Sequence, residues 1–361
     1  MGAYILKRLL LMIPTLLGAL AITFLVTQFV PGGPIEQLIA KLENSDQTDA
    51  KLNGGSENLG TTAGNPNSTY RGARGIDPDT IKKWEKQFGF DKPLPERFAL
   101  MVWNYARFDF GESYFQSKPV ARLILEKLPV SISLGVWLLL ISYTISIPLG
   151  IAKAVREGSR FDIWTSAVIS IGYAIPNFVF AIFLIIFFAG GSYWNWFPLR
   201  GLTSDNFSSL SLGGKILDYA RHLALPLLAL GVSGFATTTL LTKNSFLDEI
   251  RKHYVVTARA KGLNERQVLY GHVFRNAMLL VISGFPAAFI GAFFTGSLLI
   301  EQVFSLDGLG YLTYRSALNR DYAVVFAAMW VFTLIGLLVA LLSDLLYTWI
   351  DPRIDFESRE I

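Results

Sequence analysis

The sequence predicts an all-α polytopic membrane protein with six transmembrane helices. Three observations predict it. Of 361 residues, 52% are hydrophobic and only 17% are charged, against roughly a quarter charged in a soluble domain. Six uncharged runs reach the roughly 20 residues a helix needs to cross the hydrocarbon core: Leu9–Val30, Leu128–Ala152, Ile163–Leu199, Leu223–Thr242, Asn276–Ile300 and Tyr322–Ser343. The short segments between them alternate between basic and nearly neutral, the charge pattern of a chain threaded back and forth. The net charge of +4 follows from that topology and gives no reason to expect a nucleic-acid partner; the expected surroundings are membrane lipid. With no cysteine, disulfides and thiolate metal sites are excluded. His222, His253 and His272 stand at span ends or in a charged segment, where solvated side chains are expected rather than ligands.

Residues 1–30 form the first span. Lys7 and Arg8 precede it, and the Ala19-Leu20-Ala21 triplet resembles a cleavage site. The triplet is followed by Ile-Thr-Phe-Leu-Val, too apolar for a cleavage region, so an uncleaved helix is expected. Residues 31–127 follow, with thirteen basic and thirteen acidic residues. Within them, 53–75 is rich in Gly, Asn, Ser and Thr and cannot bury a core, which predicts an irregular insertion. Asp77-Pro78 then opens a helix with Ile81, Trp84 and Phe88 on one stripe. A second amphipathic helix is expected over Pro95–Phe108. These helices either cover the outer membrane surface or dock an extracytoplasmic partner, and both readings are open.

Residues 128–350 carry the other five spans. Pro148, Pro176, Pro226 and Pro286 lie inside four of them. A proline frees a carbonyl and bends a helix, so helices shaped around a cavity are expected. Gly284, Ala288, Ala292 and Gly296 form a small-residue ridge that lets another helix approach. Tyr193, Trp194 and Trp196 fit an interfacial belt. The polar residues inside spans are few: Asn177 after Pro176, and Thr237, Thr238 and Thr239 with Thr242 after Pro226. They either line a path or bond to carbonyls of their own helix. No span has an ionised residue near its centre, which an ion-coupled secondary transporter or channel, the alternative class, usually needs. Asp344 lies near the end of span six, where it can snorkel or cap. Gly213-Gly214-Lys215 lacks the upstream glycine and following Ser or Thr of a phosphate loop.

The charged segment 244–276 stands between two uncharged spans. Ser245 with Asp248 predicts a capped helix start, with Ile250, Tyr254 and Ala258 on one face and a stop at Gly262. Asn264 then caps a second helix, with Glu265 in its first turn. The segment is much longer than the 2–8 residues typical of a helix connection, and a bent rigid element transmits force better than a loop. Lysine and arginine place it in the cytoplasm with Lys7, Arg8, Lys153, Arg156 and Arg160, and the tail 351–361 joins them.

Tyr254 to Asn276, YVVTARAKGLNERQVLYGHVFRN, resembles the EAA loop of ABC-importer permeases in its peptide-permease variant. The N-terminal Val30-Pro31-Gly32-Gly33, Phe110-Gly111-Glu112-Ser113, the segment Glu301–Gly310 and Asp351-Pro352-Arg353 are similar to the B-type subunit of dipeptide and oligopeptide importers. Ser305-Leu306-Asp307-Gly308-Leu309-Gly310 and Asp355-Phe356-Glu357 look most like the Yej subtype, whose members import oligopeptides and microcin C-like peptides. The glutamate that opens the general EAA pattern is absent, and Arg275 stands where its closing proline would be. Asp307 replaces a proline common in dipeptide permeases.

The resemblance implies a type I ABC importer permease fold in the bacterial inner membrane, with both termini cytoplasmic. It implies three partners: a second permease, a cytoplasmic ABC ATPase that holds ATP and magnesium, and a periplasmic peptide-binding protein. This chain would be no enzyme and would hold no cofactor. Thr257, Ala258, Arg259, Ala260, Lys261, Gly262, Leu263, Asn264, Glu265 and Arg266 would seat in the ATPase. Ala258 would be the close-contact position and Gly262 the bend. Asn177, Thr237, Thr238 and Thr239 are the candidate path residues.

Overall fold

A computed structural model describes residues 2–29, 91–113, 115–116, 118–191, 193–290 and 297–350. The insertion 53–75, the helix expected after Asp77, half of the small-residue ridge and the tail 351–361 lie outside the described residues. The described residues are helical, with one isolated bridge between Glu112 and Pro119.

Four helices are long and apolar enough to cross a membrane: Tyr4–Thr27 within α1 (Gly2–Phe29), α3 (Val120–Val155), α6 (Leu212–Ile250), and Tyr322–Leu345 within α13 (Tyr322–Ile350). Between α1 and α3 lies α2 (Leu94–Ala106), the expected amphipathic helix, begun after Pro93. The predicted third span is two helices, α4 (Arg160–Ala174) and α5 (Asn177–Phe188), which meet at 96°. The cause is local. Pro176 has no N–H to continue the ladder and pushes the residue before it out of the helical region, and Ile175 is extended at φ −86°, ψ 122°. Pro148 and Pro226 sit inside unbroken α3 and α6, as do Pro129 in α3 and Pro14 in α1. Pro176 thus stands at a break, as does Pro286, second residue of a helix that starts at Phe285, while the other prolines are absorbed. The predicted fifth span is divided among α9 (Phe274–Ser283), α10 (Phe285–Ile290) and α11 (Ser297–Val303). Among the described residues the count is thus four spans, or five with the bent pair.

Two compact units divide the chain. In the unit of residues 12–126 and 313–333, aromatic rings form the packing. Phe24 of α1 meets Phe98 of α2 and Phe326 of α13, at 5.5 and 6.3 Å between ring centres. Phe110 meets Tyr105 at 5.0 Å and Trp330 at 5.6 Å. The next three residues make a tight corner. Gly111 turns at φ +71°, open to glycine without strain, and buried Ser113 donates to the buried carboxylate of Asp321, just before α13. The Ser113 hydroxyl also accepts from the Gln116 N–H at 3.0 Å.

The other unit holds residues 1–11, 127–312 and 334–361. Its α3 and α6 touch at a glycine. A Cβ on Gly150 would lie 2.6 Å from Thr242 Cβ and 2.8 Å from the Thr239 carbonyl oxygen, so only glycine allows this approach. The segment joining α11 to α12 (Leu309–Leu318) is closed by buried polar groups. Glu301, with no exposed surface, accepts from the Tyr311 N–H at 2.7 Å, and Ser131 of α3 accepts from the Leu309 N–H at 2.9 Å. Gly308 leaves the room for that carboxylate: a Cβ there would lie 2.5 Å from it. Asp344 of α13 has partners on α1. It pairs with Arg8 at 2.6 Å and accepts from Tyr4 at 2.8 Å, tying the end of α13 to the start of α1. His222 is buried with Nδ1 2.8 Å from the Asp218 carbonyl, so its expected solvated setting is corrected. The i, i+4 backbone carbonyl gives Nδ1 a partner inside the helix. Among the described residues no cluster of ligand side chains could hold a metal.

Candidate functional site: a bent element between spans

The element begins later than its sequence suggests. α6 runs unbroken through Ser245 to Ile250, and Ser245 does not cap a helix start. Its hydroxyl is buried and donates to the Ala277 carbonyl of α9 at 2.6 Å, so helix contact outcompetes the local cap. The turn at Arg251 and Lys252 precedes α7 (His253–Ala260). α7 ends in a Schellman closure: the Gly262 N–H reaches the Arg259 carbonyl at 2.9 Å and the Leu263 N–H reaches Ala258 at 3.4 Å. That closure needs a left-handed residue, and Gly262 has φ +84°. Asn264 then starts α8 (Glu265–Val268) with a reciprocal capping box, its side chain taking the Gln267 N–H while the Gln267 side chain takes its own. Five residues of π-helix, Leu269–Val273, lead into α9.

One face of this elbow is core. Val255 and Ala258 of α7, Val268 of α8 and Val273 are buried in a cluster with Ile151 and Ala154 of α3, Phe246 of α6 and Ala277 of α9. Ala258 faces this chain's own core, and the elbow is seated on the long helices α3 and α6 and the shorter α9. The other face is open. Thr257, Arg259, Ala260, Lys261, Gly262, Asn264, Glu265 and Arg266 are exposed and Leu263 is half-buried. Exposed Val256 and Tyr270 add apolar surface, and Leu263, Asn264, Arg266, Gln267 and Tyr270 line an open hollow of about 500 Å³.

Two charge contacts escaped sequence reading because their partners lie across turns. Arg259 grips Glu265 through Nε and Nη2, at 2.8 and 3.0 Å, closing the elbow across Gly262. The hydrogen bond from Arg259 holds the Glu265 carboxyl below the usual carboxylate range and raises the arginine in turn. Tyr254 donates to Glu249 at 2.7 Å and accepts from Asn276 at 3.3 Å, joining the end of α6 to α9; burial pushes its phenol upward.

The path candidates separate. Asn177 at the α4–α5 bend donates to Ser233 of α6 at 3.2 Å, and Thr237, one turn on, is exposed. Thr237 donates to the Ser233 carbonyl, the own-helix bond open to it. Thr238 and Thr239 are buried, and the backbone of Thr239 lies against Gly150. The structure brings Asn177 and Thr237 together around Ser233, a residue sequence reasoning missed, and packs the other two threonines away. A hollow of about 800 Å³ between α3, α4 and α6 has apolar walls broken by few polar groups, Ser142 among them, and offers little to a peptide backbone.

Residues 146–356 match the family model described as binding-protein-dependent transport system inner membrane component. The chain belongs to this family. Its whole length aligns with the peptidoglycan transport system permease protein YejB of Agrobacterium fabrum at 65% identity, covering 100% of both chains. The inner membrane ABC transporter permease protein YejB of Escherichia coli O157:H7 is 58% identical, over 99% of this chain and 100% of that one. The oligopeptide permease AppB of Bacillus subtilis is 31% identical over the same shares. The likeness to the Yej subtype of the peptide-importer permeases is therefore borne out. A methionine ABC transporter, MetNI, facing inward, superposes with TM-score 0.48 at 15% identity, over 65% of this chain and 99% of that one. This family member is a multi-pass membrane transport subunit, and its relatives are permeases, not enzymes.

Proposed function

We propose that this chain is one of two permease subunits of an ATP-driven, binding-protein-dependent importer of the bacterial inner membrane. It passes oligopeptides, including peptidoglycan-derived and microcin C-like ones, from periplasm to cytoplasm by alternating access. The observation that carries this reading is the elbow at Gly262, core on one face and exposed polar surface on the other, seated on α3, α6 and α9. Thr257 to Arg266 dock in a cytoplasmic ATPase, which holds ATP and magnesium, and a periplasmic binding protein delivers the peptide. The Arg8–Asp344 pair supports placement of both termini on one side, and loop charge makes that side the cytoplasm. It joins the start of the first span to the end of the last, so the number of crossings is even; six follows if α4–α5 is one crossing and residues 274–303 another. Asn177, Ser233 and Thr237 supply hydrogen-bonding groups to the path, and Thr238 and Thr239 act through packing.

Reconstitution of the complete complex tests it. Proteoliposomes with both permeases, the ATPase and the binding protein are expected to accumulate peptides from an oligopeptide and muropeptide panel only with ATP. Uptake driven by an ion gradient without ATP would sink the reading and favour a secondary transporter.

A further inference from the structure

Asp162 lies in the first turn of α4, buried between lysines of two other helices. Lys153 of α3, with no exposed surface, approaches its Oδ1 at 3.0 Å. That lysine also donates to the Asp162 carbonyl, Thr165 and Ser166 at 2.9, 2.8 and 2.7 Å. Lys243 of α6 grips both carboxylate oxygens, at 2.7 and 2.8 Å, and the Gly158 N–H adds a bond at 3.2 Å. Stripping water from three charges is costly, and apolar side chains would join the helices at least as firmly. What the ions add is a fixed geometry. Nine residues separate Lys153 from Asp162, so that pair staples neighbouring helices. Lys243 is 81 residues away and ties α4 to α6.

A second tie lies at the other end of α4, where Asn177 donates to Ser233 of α6. The broken span is thus held to α6 at both ends of its first half. α6 continues without a break to Ile250, where Phe246 enters the core that seats the elbow.

We infer that the Lys243–Asp162 pair is a positioning pair that makes α4 and the Pro176 bend follow α6, so that displacement at the cytoplasmic elbow reaches the bend instead of being lost between helices. The inference rests on the importer reading. Its buried setting makes the tie insensitive to salt.

Lys243→Met tests it without stranding a charge, because Asp162 keeps Lys153 and the remaining pair is neutral. The reconstituted complex is assayed for assembly, peptide-stimulated ATP hydrolysis, and peptide taken up per ATP. Lys243→Met is expected to assemble and hydrolyse ATP within about twofold of wild type, while ATP consumed per peptide rises about threefold to tenfold. Lys243→Arg retains the tie and is expected to restore the wild-type ratio. An unchanged ratio in Lys243→Met overturns the inference. So does failure of Lys243→Met to assemble when Lys243→Arg assembles, since the pair would then be a folding tie. Absence of peptide-stimulated hydrolysis in the wild-type complex strikes the importer reading itself, and this inference with it.

Discussion

At the scale of single residues, the elbow depends on one backbone conformation. Gly262 has φ +84°, yet a Cβ there would meet nothing within 4 Å. The penalty for a side chain is therefore backbone strain alone, about 2 kcal/mol for a β-branched residue. Gly262→Val is expected to leave the chain inserted and assembled while misdirecting α8, lowering peptide-stimulated ATP hydrolysis and uptake together. Gly262→Asn, which tolerates the left-handed region, is expected to retain more of both. Wild-type hydrolysis and uptake in the valine variant would remove Gly262 from the coupling role. The Arg259–Glu265 pair responds to acid in a defined direction. Its carboxyl is depressed in the folded chain, so the pair's contribution is complete above the usual carboxylate range and is lost as pH falls through the depressed value. Between about pH 5 and 8 this pair is expected to give no titration step in ATPase stimulation, and a step there that vanished in Glu265→Gln would refute this.

At the scale of elements, the seam between α3 and α6 decides how the long helices stay in register. Gly150 lies beneath the carbonyl of Thr239, and a backbone atom cannot swing aside as a flexible side chain can. Gly150→Ala is expected to destabilise by about 1–3 kcal/mol, read as a lower thermal unfolding midpoint in detergent. Gly234→Ala in α6 has no atom within 4 Å of the added carbon and is expected to be neutral or stabilising. Equal midpoints for the two would show that the seam relaxes freely. Reading the sequence reached these elements unevenly. Uncharged length alone located α1, α3, α6 and α13, because hydrophobic thickness sets a minimum run. The bend at Pro176 was signalled but its size was not, since four other prolines sit in helices that continue. Ser245 misled because its hydroxyl has two possible partners, a local N–H and a carbonyl 32 residues away, and only the fold presents the second.

At the scale of the whole molecule, topology is the property to test. A cysteine at Asn264, in a chain with none of its own, is expected to react with an impermeant maleimide only after the inner membrane is opened. Labelling of intact spheroplasts from outside would reverse the assigned orientation. Loop charge predicts which side is cytoplasmic, but it also hides chemistry. Lys153 and Lys243 count as basic residues flanking spans, and nothing in that count distinguishes a solvated lysine from one folded onto Asp162. Buried pairs between distant positions depend on which helices meet, and one sequence does not carry that information.

The bond from Arg8 to Asp344 also imposes an order in time. The carboxylate partner is made 336 positions after the arginine. At roughly 5–20 residues per second, the first span waits on the order of 17–70 s for the last. Through that interval Arg8 is charged at the membrane surface without Asp344 beside it. A nascent or truncated chain thus differs from a finished one by the missing carboxylate beside the cation of its first helix, a chemical sign of incompleteness that synthesis itself removes.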